Sequence, residues 1–218
     1  PAGEFMFLIG PSGSGKTTFL RLLIRDLLLS KGTITVDNED ISTYTGKNIH
    51  LLRRKVGIVF QDFKLLLDRT VFENIAMVLE ILGKPEADIE QGVMNVLELV
   101  GLGDKRNFFP LQLSAGEMQR TSIARAIVGG PKILLADEPT GNLDPETAWG
   151  IIEIFKEVND LGTTVIIASH NADIVNKMKK RTLTIHHGSI VRDEAKGHYH
   201  LDRHGKIAGK AGKHDVNH

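Results

Sequence analysis

The chain has 218 residues, 41% of them hydrophobic, which suits one globular domain carrying a subdomain around a substantial core. Lysine plus arginine matches aspartate plus glutamate at 27 each, so no net field draws nucleic acid or an anionic membrane, and the absence of cysteine excludes disulfides and thiolate metal sites. The longest apolar runs, such as Leu27-Leu28-Leu29 and Ile133-Leu134-Leu135-Ala136, fall far short of the roughly 20 residues of a bilayer span, so a cytoplasmic protein that does not itself cross a membrane is expected.

Pro1-Ala2-Gly3-Glu4 lacks an initiator methionine and a signal pattern, and reads as the start of a fragment or trimmed chain. Phe5 to Ile9 is a continuous apolar run, as in a parallel strand buried on both faces, and a helix should follow from Thr17 to about Leu29. Similar runs at Val56 to Phe60, Ile133 to Ala136 and Thr164 to Ala168 predict further core strands. Thr33 to Val36 alternates, and Leu183 to Ile185 with Ser189 to Val191 flanks His187-Gly188, so both regions predict antiparallel edge or hairpin strands. The stretch 62–131 has helical periodicity and reads as an inserted lobe. Within it a capping box at Thr70 opens a helix to about Leu82, stopped at Gly83, and a second runs from Ala87 to Val100, stopped at Gly101. Asp144-Pro145 predicts a helix to about Asp160, and another should follow Asn171. From Asp193 onward apolar periodicity vanishes, which predicts a disordered tail over 193–218. Its histidines, among them His198, His200, His204, His214 and His218, have no element to gather them around a metal.

Gly10-Pro11-Ser12-Gly13-Ser14-Gly15-Lys16-Thr17, with Thr18 next, has the spacing of a loop whose backbone N–H groups cradle phosphate at a helix N-terminus. Lys16 can bridge the β- and γ-phosphates of ATP, and the Thr17 hydroxyl can ligate Mg²⁺. Adjacent carboxylates at Asp137 and Glu138, leaving a buried strand, repel each other without a cation. Asp137 is expected to hold the metal through a water, and Glu138 to orient or deprotonate the water attacking the γ-phosphorus. Ser114 and Glu117 form a capping box, and the helix N-terminus they open, with Ala115 and Gly116, can also take a second phosphate contact; spacing alone does not choose. Gln61 and His170 follow strands at the edge where doubly wound sheets gather ligands, although a solvated amide and a neighbour of a helix cap explain them equally in isolation. Leu65-Leu66-Leu67 is an apolar knot in a polar loop, either lobe core or a partner contact.

The order of phosphate loop, Gln61, Leu113 to Glu117, Asp137-Glu138, Asn142-Leu143-Asp144 and His170 resembles an ABC-type ATPase, over about Gly3 to Val191. Val59 to Leu66 and Asp68 to Asn74 look like the family's cell-division branch, while Ala136 to Asp144 is shared with lipoprotein-release and macrolide-efflux relatives. The resemblance implies an α/β P-loop NTPase fold with a mostly parallel core sheet, the helical lobe inserted in a single domain over 1–192, and a small antiparallel β part that is N-terminally truncated here. It implies Mg²⁺-dependent hydrolysis of ATP to ADP and phosphate by a head-to-tail homodimer, with Ser114 and Gly116 of one copy touching the γ-phosphate held by the other copy's Lys16. His170 is then expected on the γ-phosphate, Asp144 across the dimer, and Gln61 at the metal, linking the nucleotide to the lobe. A groove of the lobe would receive an integral membrane partner, placing the chain peripherally on the inner face of the plasma membrane. An exporter subunit is the alternative. A DNA-maintenance ATPase would need long heptad segments and a basic stripe, and the chain has neither, so no nucleic-acid partner is expected. Two departures stand out: Ala115 occupies a position where the family usually has glycine, and the aromatic that stacks on adenine, with the early strands, would lie upstream of Pro1.

Overall fold

The computed structural model describes residues 1–199. Its centre is a six-stranded sheet in the order β4 (Val56–Val59), β5 (Ile133–Asp137), β6 (Thr164–Ala168), β1 (Phe5–Ile9), β7 (Arg181–His186), β8 (Ser189–Glu194). The first five are parallel and β8 runs antiparallel to β7. Alternation along each strand divides the core between the two faces. Phe5, Phe7 and Ile9 of β1 point into one cluster with Leu134, Ala136, Val165 and Ile167; Leu8, Leu135, Ile166 and Ala168 point into the other.

The first face is covered by α3 (Val71–Ile81), α4 (Glu86–Leu99), α5 (Ala115–Ile127), α6 (Pro145–Asp160) and α7 (Ala172–Met178). Capping boxes at Thr70 and Ser114 start α3 and α5, Asp144 starts α6, and Gly83 and Gly101 take the left-handed conformation after α3 and α4. Helices of the 62–131 stretch thus share one apolar cluster with the sheet instead of enclosing a separate core. The second face is covered by α1 (Lys16–Leu23), α2 (Ile49–Lys55) and the hairpin of β2 (Thr35–Val36) with β3 (Glu39–Asp40).

Two expectations are corrected, one is extended, and two elements appear that the sequence does not announce. Helix α1 stops at Leu23, short of Leu29, because Arg25 turns left-handed (φ 57°) and the Asp26 N–H folds back onto the Arg21 carbonyl, leaving Leu28 76% exposed. The hairpin expected around His187-Gly188 is present: β7 pairs antiparallel with β8, which forms the edge, and also in parallel with β1, which joins the hairpin to the sheet. Helix α2 and strand β3, too short to show a period, went unread in the sequence. The tail does not begin at Asp193: that residue lies in β8 and accepts two hydrogen bonds from Arg181, at 2.8 and 2.7 Å. Gly197 and Tyr199 are also bonded to the fold. Residues 200–218 of the expected tail, with His200, His204, His214 and His218, lie outside the described residues. Among the described residues no helix is long and apolar enough to cross a membrane.

Candidate nucleotide site

Residues 10–15 link β1 to α1 by a turn that only glycine fits at its start. A Cβ on Gly10 would stand 2.3 Å from the Ile185 carbonyl oxygen and 2.5 Å from Ser14 Oγ. Gly15 caps α1 at φ 111° without a side-chain hydrogen bond, so side chains leave the first N–H groups of the helix free to face an anion. The loop is braced from outside: Ser14 N–H donates to the Pro11 carbonyl, and the Ser14 carbonyl accepts from Gly188 N–H at 2.9 Å. Gly188 lies in the β7–β8 turn, and the sequence showed that turn without showing that it leans on the loop. Ser12 and Thr18 are exposed at the rim and Pro11 is half-buried.

Lys16 is 8% exposed, and its ammonium donates to the carbonyls of Gly10 (2.9 Å) and Pro11 (3.3 Å). It stands 3.7 Å from Glu138 Oε1. A fixed cation at the mouth of a ring of N–H groups is an anion trap. Beside it, the Thr17 hydroxyl is a hydrogen-bonding neighbour of the Asp137 carboxylate, whose Oδ1 is buried without a hydrogen-bond partner. Burial, and then the charge of Glu138, push the Asp137 carboxyl above the usual range, while Thr17 and Lys16 pull it down. Thr17, Gln61 and Asp137 line one cleft of about 520 Å³, together with Asn142. Among the described residues no group of three or more His, Asp or Glu side chains gathers to hold a metal, so a cation would rely on mixed donors: a hydroxyl, an amide and one carboxylate. That hard-oxygen set with an orphaned carboxylate oxygen fits Mg²⁺, which keeps waters and phosphate oxygens among its ligands.

Glu138 follows β5 in the left-handed region (φ 49°), a conformation that costs a non-glycine residue energy and is held by Glu138 N–H donating to the Ala168 carbonyl at the end of β6. The turn aims its carboxylate at His170. Oε2 lies 2.8 Å from His170 Nδ1 and accepts the His170 backbone N–H at 3.2 Å. Lys16, Thr17, Gln61, Asp137, Glu138 and His170 are therefore carried by the carboxyl ends of four adjacent strands, β4, β5, β6 and β1.

Ser114, Gly116 and Asp144 form a second group. Ser114 Oγ accepts from Glu117 N–H in its capping box, so the structural role expected of it is present. Asp144 Oδ1 accepts from the Glu146 and Thr147 N–H groups, and its carboxyl is held below the usual range first by a hydrogen bond from the Thr147 side chain and then by the Thr147 backbone N–H. A Cβ on Gly116 would meet Thr147 Cγ2 at 2.6 Å, so the starts of α5 and α6 are packed together. The hydrogen bonds of Ser114 and Asp144 run within their own helix starts, to Glu117, Glu146 and Thr147, and not to the phosphate loop of the same chain. The loop after Gln61 is pinned by residues that sequence reasoning passed over. Phe63 and Lys64, both at positive φ, give their carbonyls to Arg125, and fully buried Asn74 bonds the backbone of Leu66, Arg69 and Thr70.

A glycine-framed phosphate loop, a lysine inside it and paired acidic residues at the next strand define a P-loop nucleoside triphosphatase. A family model described as ABC transporter matches residues 1–141, and the chain belongs to that family. Its curated relatives include the cell division ATP-binding protein FtsE of Bacillus subtilis (strain 168), 51% identical over 90% of this chain and 86% of that protein. FtsE of Mycobacterium tuberculosis is 48% identical over 92% and 87%, and FtsE of Escherichia coli K12 is 45% identical over 86% and 85%. Among solved structures, the dimeric ATP-binding cassette MJ0796 in a post-hydrolysis state with ADP and Pi superposes with a TM-score of 0.82 at 30% identity, covering 90% of this chain and 87% of that one. A second is cbiO1 from Clostridium perfringens, part of an ABC transporter complex, with a TM-score of 0.82 at 32% identity over 89% and 78%.

Proposed function

We propose that the chain is the ATP-hydrolysing subunit of a cell-division membrane complex of the FtsE kind, coupling hydrolysis to a shape change in its partner. The observation that carries the hydrolytic half is the 2.8 Å contact of Glu138 with His170, placed 3.7 Å from the lysine of the phosphate loop. The phosphates lie along residues 10–17, with Lys16 neutralising the β- and γ-oxygens. Thr17, Gln61 and Asp137 hold Mg²⁺, which supplies further charge neutralisation when bound. Glu138 orients the attacking water and accepts its proton as the new oxygen–phosphorus bond forms and the bond to the ADP oxygen breaks; His170, in contact with Glu138, faces the γ-phosphate.

Ser114, Gly116 and Asp144 complete the site from a second copy, which accounts for a prepared helix N-terminus that its own loop does not use. The MJ0796 cassette, dimeric with ADP and Pi, supports this arrangement. The membrane partner, an FtsX-type protein, is met on the lobe. Leu66 and Leu67 are exposed, and a groove of about 460 Å³ between α2, the end of α3 and the end of α5 has an apolar floor and a rim of His50, Arg53 and Arg54. Such a surface suits an amphipathic segment carrying acidic residues. The chain then works on the inner face of the plasma membrane. Hydrolysis measured with and without membranes holding an FtsX-type protein tests the reading: stimulation by those membranes is expected, and stimulation by an efflux permease instead would return the exporter alternative.

A further inference from the structure

Helix α7 has seven residues, too few to be stable by itself, and it directly follows His170. His170 is 62% exposed, so burial does not fix its ring; its place opposite Glu138 depends on what holds the flanking backbone. On one side Asn171 N–H donates to Ser169 Oγ, and Asn171 caps α7. On the other side lies the segment after β8. Gly197 N–H donates to the carbonyl of Lys180 just beyond α7, and Tyr199 N–H donates to Asn176 Oδ1 in the middle of that helix, at 2.7 Å. The segment is seated tightly. Gly197 is buried, and a Cβ there would stand 2.3 Å from Thr182 Cβ, while the Tyr199 ring packs on the larger apolar cluster. Tyr199 also feels the site: its hydroxyl is pushed above its ordinary pKa first by burial and then by the negative charge of Glu138.

We propose that residues 195–199 form a strap that holds α7, and with it His170, in register with Glu138, and that Tyr199 is a positioning residue for ATP hydrolysis. The proposal rests on the assignment of Glu138 and His170 as the hydrolytic pair. Its leverage is geometric, since a displacement of about 1 Å at a catalytic contact can cost up to about 100-fold in rate. The strap's backbone hydrogen bonds from Gly197 and Tyr199 go to Lys180 and Asn176, around α7 and away from the phosphate loop, so loosening them should leave nucleotide affinity alone.

The test uses the full chain with Tyr199→Ala, Tyr199→Phe, Gly197→Ala and Glu138→Gln, reading kcat for ATP and, separately, Kd for a fluorescent ATP analogue. Tyr199→Ala and Gly197→Ala, the latter displacing the strap without removing a side chain, should each lower kcat about 10-fold with Kd nearly unchanged. Tyr199→Phe, which keeps the ring, should restore turnover. Unchanged kcat in both Tyr199→Ala and Gly197→Ala overturns the strap, as does a parallel loss of kcat and nucleotide affinity, which marks general unfolding. Glu138→Gln separates the two levels: full turnover in that variant sinks the hydrolytic pair itself, whereas a dead Glu138→Gln beside fully active Tyr199→Ala and Gly197→Ala sinks the strap alone.

Discussion

Glu138 Oε2 meets His170 Nδ1 at 2.8 Å, while the other oxygen of the same carboxylate lies 3.7 Å from the Lys16 ammonium. One side chain therefore joins the end of β5 to the residues after β6 and to the start of α1. Its left-handed backbone is what lets it reach both. Glu138→Gln keeps the size and leaves the phosphate loop intact but cannot take a proton. Turnover is expected to fall by about 10²- to 10⁴-fold, the range for loss of a general base, with ATP still bound. Phosphate release and equilibrium nucleotide binding, measured on the same preparation, check both halves.

The preceding residue, Asp137 at the end of β5, behaves differently. Burial raises the folded-state pKa of Asp137 above its unfolded value, so the folded chain binds the proton more readily. By linkage, this contributes stability at low pH that is lost as pH rises from the ordinary carboxylate value through the raised one, and above that window the buried charge is a cost. Asp137→Asn is expected to raise the melting temperature of the nucleotide-free chain at neutral pH, with a gain that disappears in acid. The same substitution should weaken Mg²⁺-dependent ATP binding. Melts from pH 4 to 8, with and without Mg-ATP, read both signs; a lower melting temperature at neutral pH would show that the carboxylate is stabilised, not strained.

Much of the sheet and the loop could be read from local pattern. Runs such as Phe5 to Ile9 are apolar on both faces because parallel strands are covered twice, and caps at Thr70, Ser114, Asp144 and Asn171 fall where the structure has them. What escaped depends on distant partners. Leu27 to Leu29 look helical, but the turn at Arg25 ends the helix before them. Tyr199 looks like tail until its contact with Asn176 is seen. Residues of the site could be named by type and spacing, yet the pairing of Glu138 with His170 required the register that sets Asp137 beside Ala168.

The packed starts of α5 and α6 make a further prediction. Gly116→Ala places a methyl 2.6 Å from Thr147 Cγ2 and must push the two helix ends apart. If this surface closes over a second copy's nucleotide, Gly116→Ala should impair ATP-dependent dimerisation and lower hydrolysis severalfold, with monomer nucleotide affinity retained. Adding Thr147→Ser removes the clashing methyl and should recover most of the loss, a coupling that a double-mutant cycle measures directly. Additive effects would show that the contact is not the cause.

The last prediction concerns the loop between Gln61 and α3, where two apolar side chains face solvent on a framework pinned from below. Leu66 and Leu67 are 40% and 56% exposed, whereas Asn74 beneath them is fully buried and bonds the backbone on both sides. Charged residues at Leu66 and Leu67 should therefore leave folding and basal hydrolysis intact while weakening capture of the membrane partner. Asn74→Ala should do the reverse. It leaves backbone groups of the loop unpaired at a cost of about 1–3 kcal/mol, and each kcal/mol lowers the melting temperature of a domain this size by about 2–4 °C. A pull-down of the partner beside a thermal melt for each variant distinguishes the two. Unimpaired capture by the doubly charged variant would return the leucine knot to a structural role, since no other property assigned to it needs an exposed apolar surface.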